Sequence, residues 1–319
     1  MTADLLHTQL MAYVGLREAL GFQTRSEKLL LLEFVAFVQA REHSGPIRTQ
    51  VALEWACQAS THRRPSGAAR RLSIARRFLI YLQAAVPETE VPAPGLLPSP
   101  RRPKPYLFTP TQLQALFKAA QASRPHGSLR PHTLSTLIGL LASTGLRIGE
   151  AIRLRVEHVK LDHEPSQLHI LETKFHKSRI VPLHPSTAEH LRLYTEQRAS
   201  LHYDGLSEAF FVSERGHYLK YHAVHKWFAR LCQHLAIEPP DGGRAPCLTS
   251  FRHTFAVARM QGWYQQGLDV QALLPHLSVY LGHVHPQESY WYLTAAPELL
   301  SAAAHRFQTY AQAGGTRHV

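Results

Sequence analysis

A chain of 319 residues with 45% apolar side chains is long enough for two domains with real cores, and its composition excludes a disordered chain. Its formal charge of +12 points to a polyanionic partner, nucleic acid first; an anionic membrane surface is disfavoured because no basic amphipathic segment or lipidation signal is present. No apolar run approaches the about 18 residues of a membrane span, the start MTADLLHTQL argues against secretion, and three scattered cysteines suit a reducing cytoplasm rather than a disulfide frame or a zinc site.

The amino-terminal part predicts four helices. Leu5, Leu6, Leu10, Tyr13, Val14 and Leu20 keep helical spacing up to Gly21. A second helix starts near Ser26, carries Leu29, Leu30, Leu32, Phe34, Val35 and Val38 on one broad face, and stops before Ser44 and Gly45. Residues 47–59 give a shorter third, and 66–85 a fourth with Leu72, Ile74, Phe78, Leu79 and Leu82 for burial. Such helices fit a small bundle over residues 1–86. Arg63 and Arg64 precede the fourth helix, and Arg70, Arg71, Arg76 and Arg77 lie on it. This cluster is either a set of phosphate contacts or a solvated face.

Residues 87–107 hold too much proline for a helix and read as an extended linker, with Arg101, Arg102 and Lys104 along it. Residues 108–319 make the second domain. Thr109 and Pro110 suit a helix N-cap and first position ahead of Leu113, Leu116 and Phe117. Residues 134–143 form an apolar helix that runs into Gly145, Leu146 and Arg147. Arg147 starts the next helix, IGEAIRL, where a cation opposes the dipole unless an anion lies close. A phosphodiester would be one such anion, and Glu150 another. Residues 168–172 and 179–183 are strand-like and flank a basic hairpin tip with Lys174 and Lys177. Residues 209–213, AFFVS, predict a third strand. Residues 222–235 predict an amphipathic helix burying Val224, Trp227, Phe228 and Leu231, with Lys226 and Arg230 on one outer face. Residues 263–281 predict two helical pieces broken near Gly267, and 297–313 a last helix. His283 and His285 form an H-x-H pair, but Glu288 is the one nearby carboxylate and no cysteine is close, so the pattern is not read as a metal site. The fold class is mainly α with a small β-sheet.

Four motifs stand in order: STGLRIGE around Arg147, ETKFHKSRIVPL with Lys174, TSFRHTFA around Arg252, and LGHVHPQESYWY from His283 to Tyr292. Together they resemble the tyrosine recombinase (phage-integrase) family, from about Phe108 to the tail. The resemblance implies a helical amino-terminal domain that clamps DNA opposite an α+β catalytic domain. It implies that Arg147 and Arg252 grip the scissile phosphate, with Glu150 in support. His283 would touch a nonbridging oxygen, and Lys174, with Lys177 as its understudy, would protonate the leaving oxygen. Tyr292 would attack to give a 3′-phosphotyrosine. Tyr290 competes for that role, and spacing favours Tyr292. Arg63, Arg64, Arg70, Arg71, Arg77, Arg101, Arg102 and Lys177 become candidate DNA contacts.

One departure stands out. Thr249 occupies the position, three before Arg252, where the family carries histidine. Threonine donates a hydrogen bond but is no base near neutrality. His253 matches the family's R-H-T-F pattern, where it is more often a packed structural histidine than a catalyst. The implied activity is site-specific recombination of double-stranded DNA by a homo-tetramer on paired sites, of the transposon or integrated-element type, in the cytoplasm. It needs no cofactor. The C-terminal segment would dock on a neighbouring protomer or fold back on its own domain. Two alternatives remain open: a DNA-binding protein of the same fold that has lost cleavage, and a type IB topoisomerase.

Overall fold

The structure is a computed structural model that describes residues 3–41, 45–58, 66–98, 104–125, 127–171, 178–200, 207–239, 243–283, 285, 287–295, 304 and 308. The chain divides into two compact units, residues 1–102 and 103–319.

In the first unit, helices α1 (Ala3–Ala19), α2 (Arg25–Ala40), α3 (Thr49–Gln58) and α4 (Ser66–Gln83) close around one apolar core. Phe34 packs on Trp55 at 5.0 Å between ring centres, and Tyr13 on Phe78 at 5.6 Å. Removal of such rings from water is the main favourable term holding the bundle together. The arginines of α4 have different surroundings. Arg70 is exposed. Arg71 is buried, its guanidinium lying 4.0 Å from the centre of the Trp55 ring and pairing with Glu33 at 2.9 Å. Arg77 pairs with Glu27 at 2.8 Å, and Arg76 donates to the Pro92 carbonyl at 2.8 Å. Arg63, Arg64, Arg101 and Arg102 lie outside the described residues. Residues 86–98 have no helix or strand, yet they lie against the bundle. Val86, Val91 and Leu97 pack on its core, and Glu90 accepts from the Thr49 N–H at 2.8 Å.

In the second unit, Thr109 caps α5 (Pro110–Gln121) through a reciprocal pair with Gln112, at 3.1 and 3.0 Å. Helix α6 (Leu129–Thr144) starts five residues before the sequence-based expectation of 134. Pro131 sits in its first turn, where a missing N–H breaks no helical hydrogen bond. Helix α7 (Ile148–Ala151) is one turn long, shorter than the IGEAIRL segment suggested. A 3-10 turn at Val156–His158 leads into an antiparallel sheet of β1 (Val159–Lys160), β2 (Gln167–Ile170) and β3 (Arg179–Pro182), in that order.

Residues 209–213 are not the third strand of this sheet, as the sequence had suggested; β1 is. Ala209 and Val212 make only isolated bridges, to Arg155 and Tyr218. Ala209, Phe210, Phe211 and Val212 are all buried, and a short apolar run does not by itself separate strand from core filler. Helix α8 (Pro185–Ser200) was not anticipated: it is mostly polar and buries only Ala188, Leu191 and Tyr194. Helices α9 (Tyr221–His234), α10 (Leu248–Gln265), α11 (Val270–Leu281) and α12 (Gln287–Ala295) follow. Asp269 caps α11 by accepting from the N–H groups of Gln271 and Ala272 at 3.0 and 3.2 Å. Helices α10 to α12 share a smaller core of Phe255, Ala256, Met260, Leu274, Leu277, Leu281 and Tyr292. The last-helix expectation over 297–313 falls outside the described residues except for Ala304 and Gln308. No described helix is long and apolar enough to cross a membrane.

Candidate active site

Two helices end at glycine in the same neighbourhood. Gly145 closes α6 with φ +64°, and Gly282 closes α11 with φ +69°, conformations that glycine adopts at little cost. The carbonyls at such ends carry partial negative charge, and here two arginines take them up. Arg252, on α10, donates from Nη1 to the Gly145 carbonyl at 3.0 Å and from Nη2 to the Leu281 carbonyl at 2.7 Å. Arg147, just before α7, donates from Nη2 to the Gly282 carbonyl at 3.0 Å. The Leu281-Gly282-His283 stretch is thus hung from two guanidiniums. A guanidinium has five N–H donors, and these contacts leave each with donors to spare for an anion. Burial first, and then the neighbouring charge of Arg147, bring Arg252 down to about 10, while Tyr292 and Glu150 act in the opposite sense. It remains a cation at neutral pH.

Glu150 ties Arg147 to Arg179. Its side chain is 3% exposed and pairs with Arg147 Nη1 at 3.0 Å and with Arg179 Nη2 at 2.8 Å. It also accepts from the Arg147 backbone N–H at 3.0 Å. Burial by itself would raise the carboxyl. The hydrogen bonds and charge of Arg179, and then of Arg147, outweigh it and hold the group below its ordinary value. The anion that the sequence argument required beside Arg147 is therefore present inside the protein.

Arg179 was not singled out from the sequence, where it stood only as the first residue of a strand-like run. Its Nε donates to the Tyr280 carbonyl at 2.8 Å, fixing the start of β3 against the end of α11. A Cβ on Gly282 would lie 2.7 Å from Arg179 Nη1 and 3.0 Å from its Cζ. The Gly282→Ala variant is expected to lose about 2–3 kcal/mol, from the left-handed backbone and from pushing aside a pinned guanidinium. Urea unfolding of the variant against the parent measures it.

Tyr292, on α12, is 2% exposed. Its oxygen lies 3.1 Å from Nδ1 of His253, whose ring is also buried and meets Trp291 edge-on. The His283 ring stacks on Tyr292 at 22° and 6.2 Å. A file of hydroxyls holds His283 in place: its Nδ1 lies 2.6 Å from Ser289 Oγ, which lies 2.7 Å from Ser278 Oγ, which reaches the Leu274 carbonyl at 3.0 Å. Ser289 and Ser278 were missed in the sequence. The available signal was weak: Ser289 stands one helical turn before Tyr292. If His283 works on a bound phosphate, Ser289→Ala should slow single-turnover DNA cleavage by about 10- to 100-fold, because an unsupported imidazole loses its orientation.

Thr249 sits exposed in the first turn of α10, and Tyr290 is 46% exposed on the outer side of α12. Lys174 and Lys177 fall outside the described residues, in the connection from β2 to β3. Among the described residues no group of three or more His, Cys, Asp or Glu side chains could hold a metal ion.

Three comparisons bear on this arrangement. The profile of the phage integrase family matches residues 107–298. The integrase/recombinase y4rB of Sinorhizobium fredii is 38% identical over 301 residues, 93% of this chain and 95% of the relative. Among solved structures, the XerH site-specific recombinase bound to a palindromic difH substrate in a post-cleavage complex superposes with a TM-score of 0.68. It is 17% identical, and the match covers 89% of this chain and 79% of that one. The Tn1549 transposon integrase in complex with transposon right-end DNA gives a TM-score of 0.65 at 16% identity, covering 98% of this chain and 100% of that one. At such identities the structural likeness is one of fold.

Proposed function

We propose that this chain, which belongs to the phage integrase family of tyrosine recombinases, cuts and rejoins double-stranded DNA at specific sites through a 3′-phosphotyrosine on Tyr292. The observation that carries the reading is a convergence. Arg147 and Arg252 hold consecutive carbonyls of the loop that presents His283, and His283 stacks on Tyr292.

The chemistry follows from these groups. A free phenol is only about one part in a thousand ionised at pH 7. Two guanidiniums on one phosphate stabilise both the incoming phenolate and the extra charge of the five-coordinate phosphorus. Arginine suits the task because its planar fork matches two phosphate oxygens and stays charged. His283 donates to a nonbridging oxygen. The leaving 5′-oxygen needs a proton, which we assign to Lys174; such help is worth about 10² to 10⁴ in rate. The phosphotyrosine ester keeps the energy of the broken bond, so a second 5′-hydroxyl can reseal the strand without metal or nucleotide.

Exchange between two sites requires four active centres. A homo-tetramer on paired sites, of the mobile-element type, with the C-terminal segment docking between protomers, completes the reading. The exposed Arg70 is the described residue of α4 best placed to meet DNA phosphate. Arg71 is already matched within the bundle by Glu33 and Trp55. One observation favours a second reading, a DNA-binding protein without cleavage: Thr249 offers no base. Incubation with a nicked suicide DNA carrying the true site separates the two. A covalent protein–DNA adduct that maps to Tyr292 supports recombination, and binding without an adduct supports the second reading.

A further inference from the structure

The proposed reaction leaves one step without an owner: removal of the phenol proton. Thr249 cannot take it, since its hydroxyl is not a base near neutrality and its side chain is exposed in the first turn of α10. His283 is poorly placed. Its ring lies nearly parallel to that of Tyr292 at 6.2 Å, its Nδ1 is engaged by Ser289 at 2.6 Å, and its Nε2 lies 3.9 Å from the Glu288 carboxylate. His253 is the described base in contact with the reacting atom. Its Nδ1 lies 3.1 Å from the Tyr292 oxygen, within the reach that proton transfer requires.

We infer that His253 is the general base for Tyr292, taking the phenol proton as the oxygen attacks phosphorus and returning it when the strand is resealed. The assignment rests on the proposed function. His253 is held for this work. It follows Arg252 on α10, so one rigid helix delivers the clamp toward α6 and α11 and the base toward α12. The residue is 7% exposed, and its ring is packed by Trp291 and Tyr292. Among the described residues, the titratable and charged groups beside it are Tyr292 of α12, on whose ring His283 also packs, and Arg252 on its own helix.

The step balances. The neutral imidazole carries its hydrogen on Nε2 and accepts from the phenol at Nδ1. The bond from Tyr292 oxygen to phosphorus forms, the phenol proton moves to Nδ1, and the bond from phosphorus to the 5′-oxygen breaks with a proton from the general acid. In resealing, the 5′-hydroxyl attacks phosphorus and passes its proton back to the group that served as general acid, the bond from phosphorus to the Tyr292 oxygen breaks, and the imidazolium gives its proton back to the departing phenolate. The His253 that accepts in cleavage is the donor in ligation.

His253→Asn tests this. Asparagine places an amide oxygen near the position of Nδ1, so it can accept the Tyr292 hydrogen bond but cannot take the proton. On the nicked suicide site the variant is expected to bind DNA as the parent does and to form the Tyr292 adduct about 10² to 10⁴ times more slowly. A fluorinated tyrosine at 292, being the stronger acid, should recover much of that loss. An adduct formed within about threefold of the parent rate overturns the role of His253 alone. No adduct with the parent protein overturns the recombinase reading with it. Should the Asn variant unfold, His253→Gln, whose amide oxygen can likewise accept but not take the proton, decides on the same site. The role of His253 is overturned if that variant forms the adduct within about threefold of the parent rate, and upheld if the adduct forms about 10² to 10⁴ times more slowly.

Discussion

Tyr292→Phe should abolish the covalent DNA adduct while leaving fold and DNA affinity in place. The ring is the structural part of this residue: it packs in the core of α10 to α12, against His253, His283 and Trp291. Phenylalanine keeps those contacts. The hydroxyl is the chemical part, and without it no phosphoester can form. Its loss also leaves the buried Nδ1 of His253 without the phenol, which should cost about 1 kcal/mol of stability. The contrast is Tyr290→Phe. That side chain is 46% exposed on the same helix and is expected to cleave like the parent. Adduct formation on a nicked suicide site, followed by denaturing gel electrophoresis, reads both. An adduct that survives in Tyr292→Phe, or disappears in Tyr290→Phe, would move the nucleophile.

The pattern of motifs made the family and the mainly helical class legible, because GLR and L-G-H sit at helix ends whose backbone needs are written locally, while R-H-T-F lies within α10. Gly145 and Gly282 mark helix ends, and the arginines that take up those ends stand in the same or a matching motif. What lay hidden depends on partners distant in the chain. Arg179 and Glu150 are 29 residues apart, and nothing local to either announces a buried pair. The same holds for Ser278 and Ser289, which meet only because α12 packs on α11. Arg71 reads as one more basic residue in a basic run; its burial comes from Trp55 and Glu33 on two other helices. Helix α8 escaped because its apolar face is only three residues wide, and residues 209–213 misled because an apolar run is common to strands and to cores.

Glu150→Gln should be the most destabilising single-atom change in the second unit, at about 3–5 kcal/mol near neutral pH. The carboxylate is saturated. It receives the Arg147 backbone N–H and Nη1 at 3.0 Å each, and Arg179 Nη1 and Nη2 at 3.2 and 2.8 Å. Glutamine keeps one oxygen and turns an N–H₂ group toward a guanidinium, so the largely buried Arg179 and the half-buried Arg147 lose their counter-charge at once. The pH dependence has a definite sign. The Glu150 carboxyl is held below its ordinary value in the folded protein. Its contribution is therefore fully present above the unfolded carboxylate range, and it is lost as pH falls through the lowered folded value. The stability gap between parent and variant should be constant from about pH 6 to 8 and should close as the pH drops below about 4. Urea unfolding of both proteins at neutral and acid pH measures the gap. A gap under about 1 kcal/mol at neutral pH, or one that does not shrink in acid, would show that the charge of Glu150 is not what holds Arg147 and Arg179 in place. The consequence for chemistry is direct. Glu150 pairs with Arg147 and Arg179, and Arg252 feels its charge without pairing with it, so these four groups together keep net positive charge for a phosphate while the clamp stays rigid. Removing the carboxylate strengthens the field but frees the clamp. Preorganisation rather than field alone governs transition-state stabilisation, so the variant should bind DNA at least as tightly as the parent and cleave it more slowly.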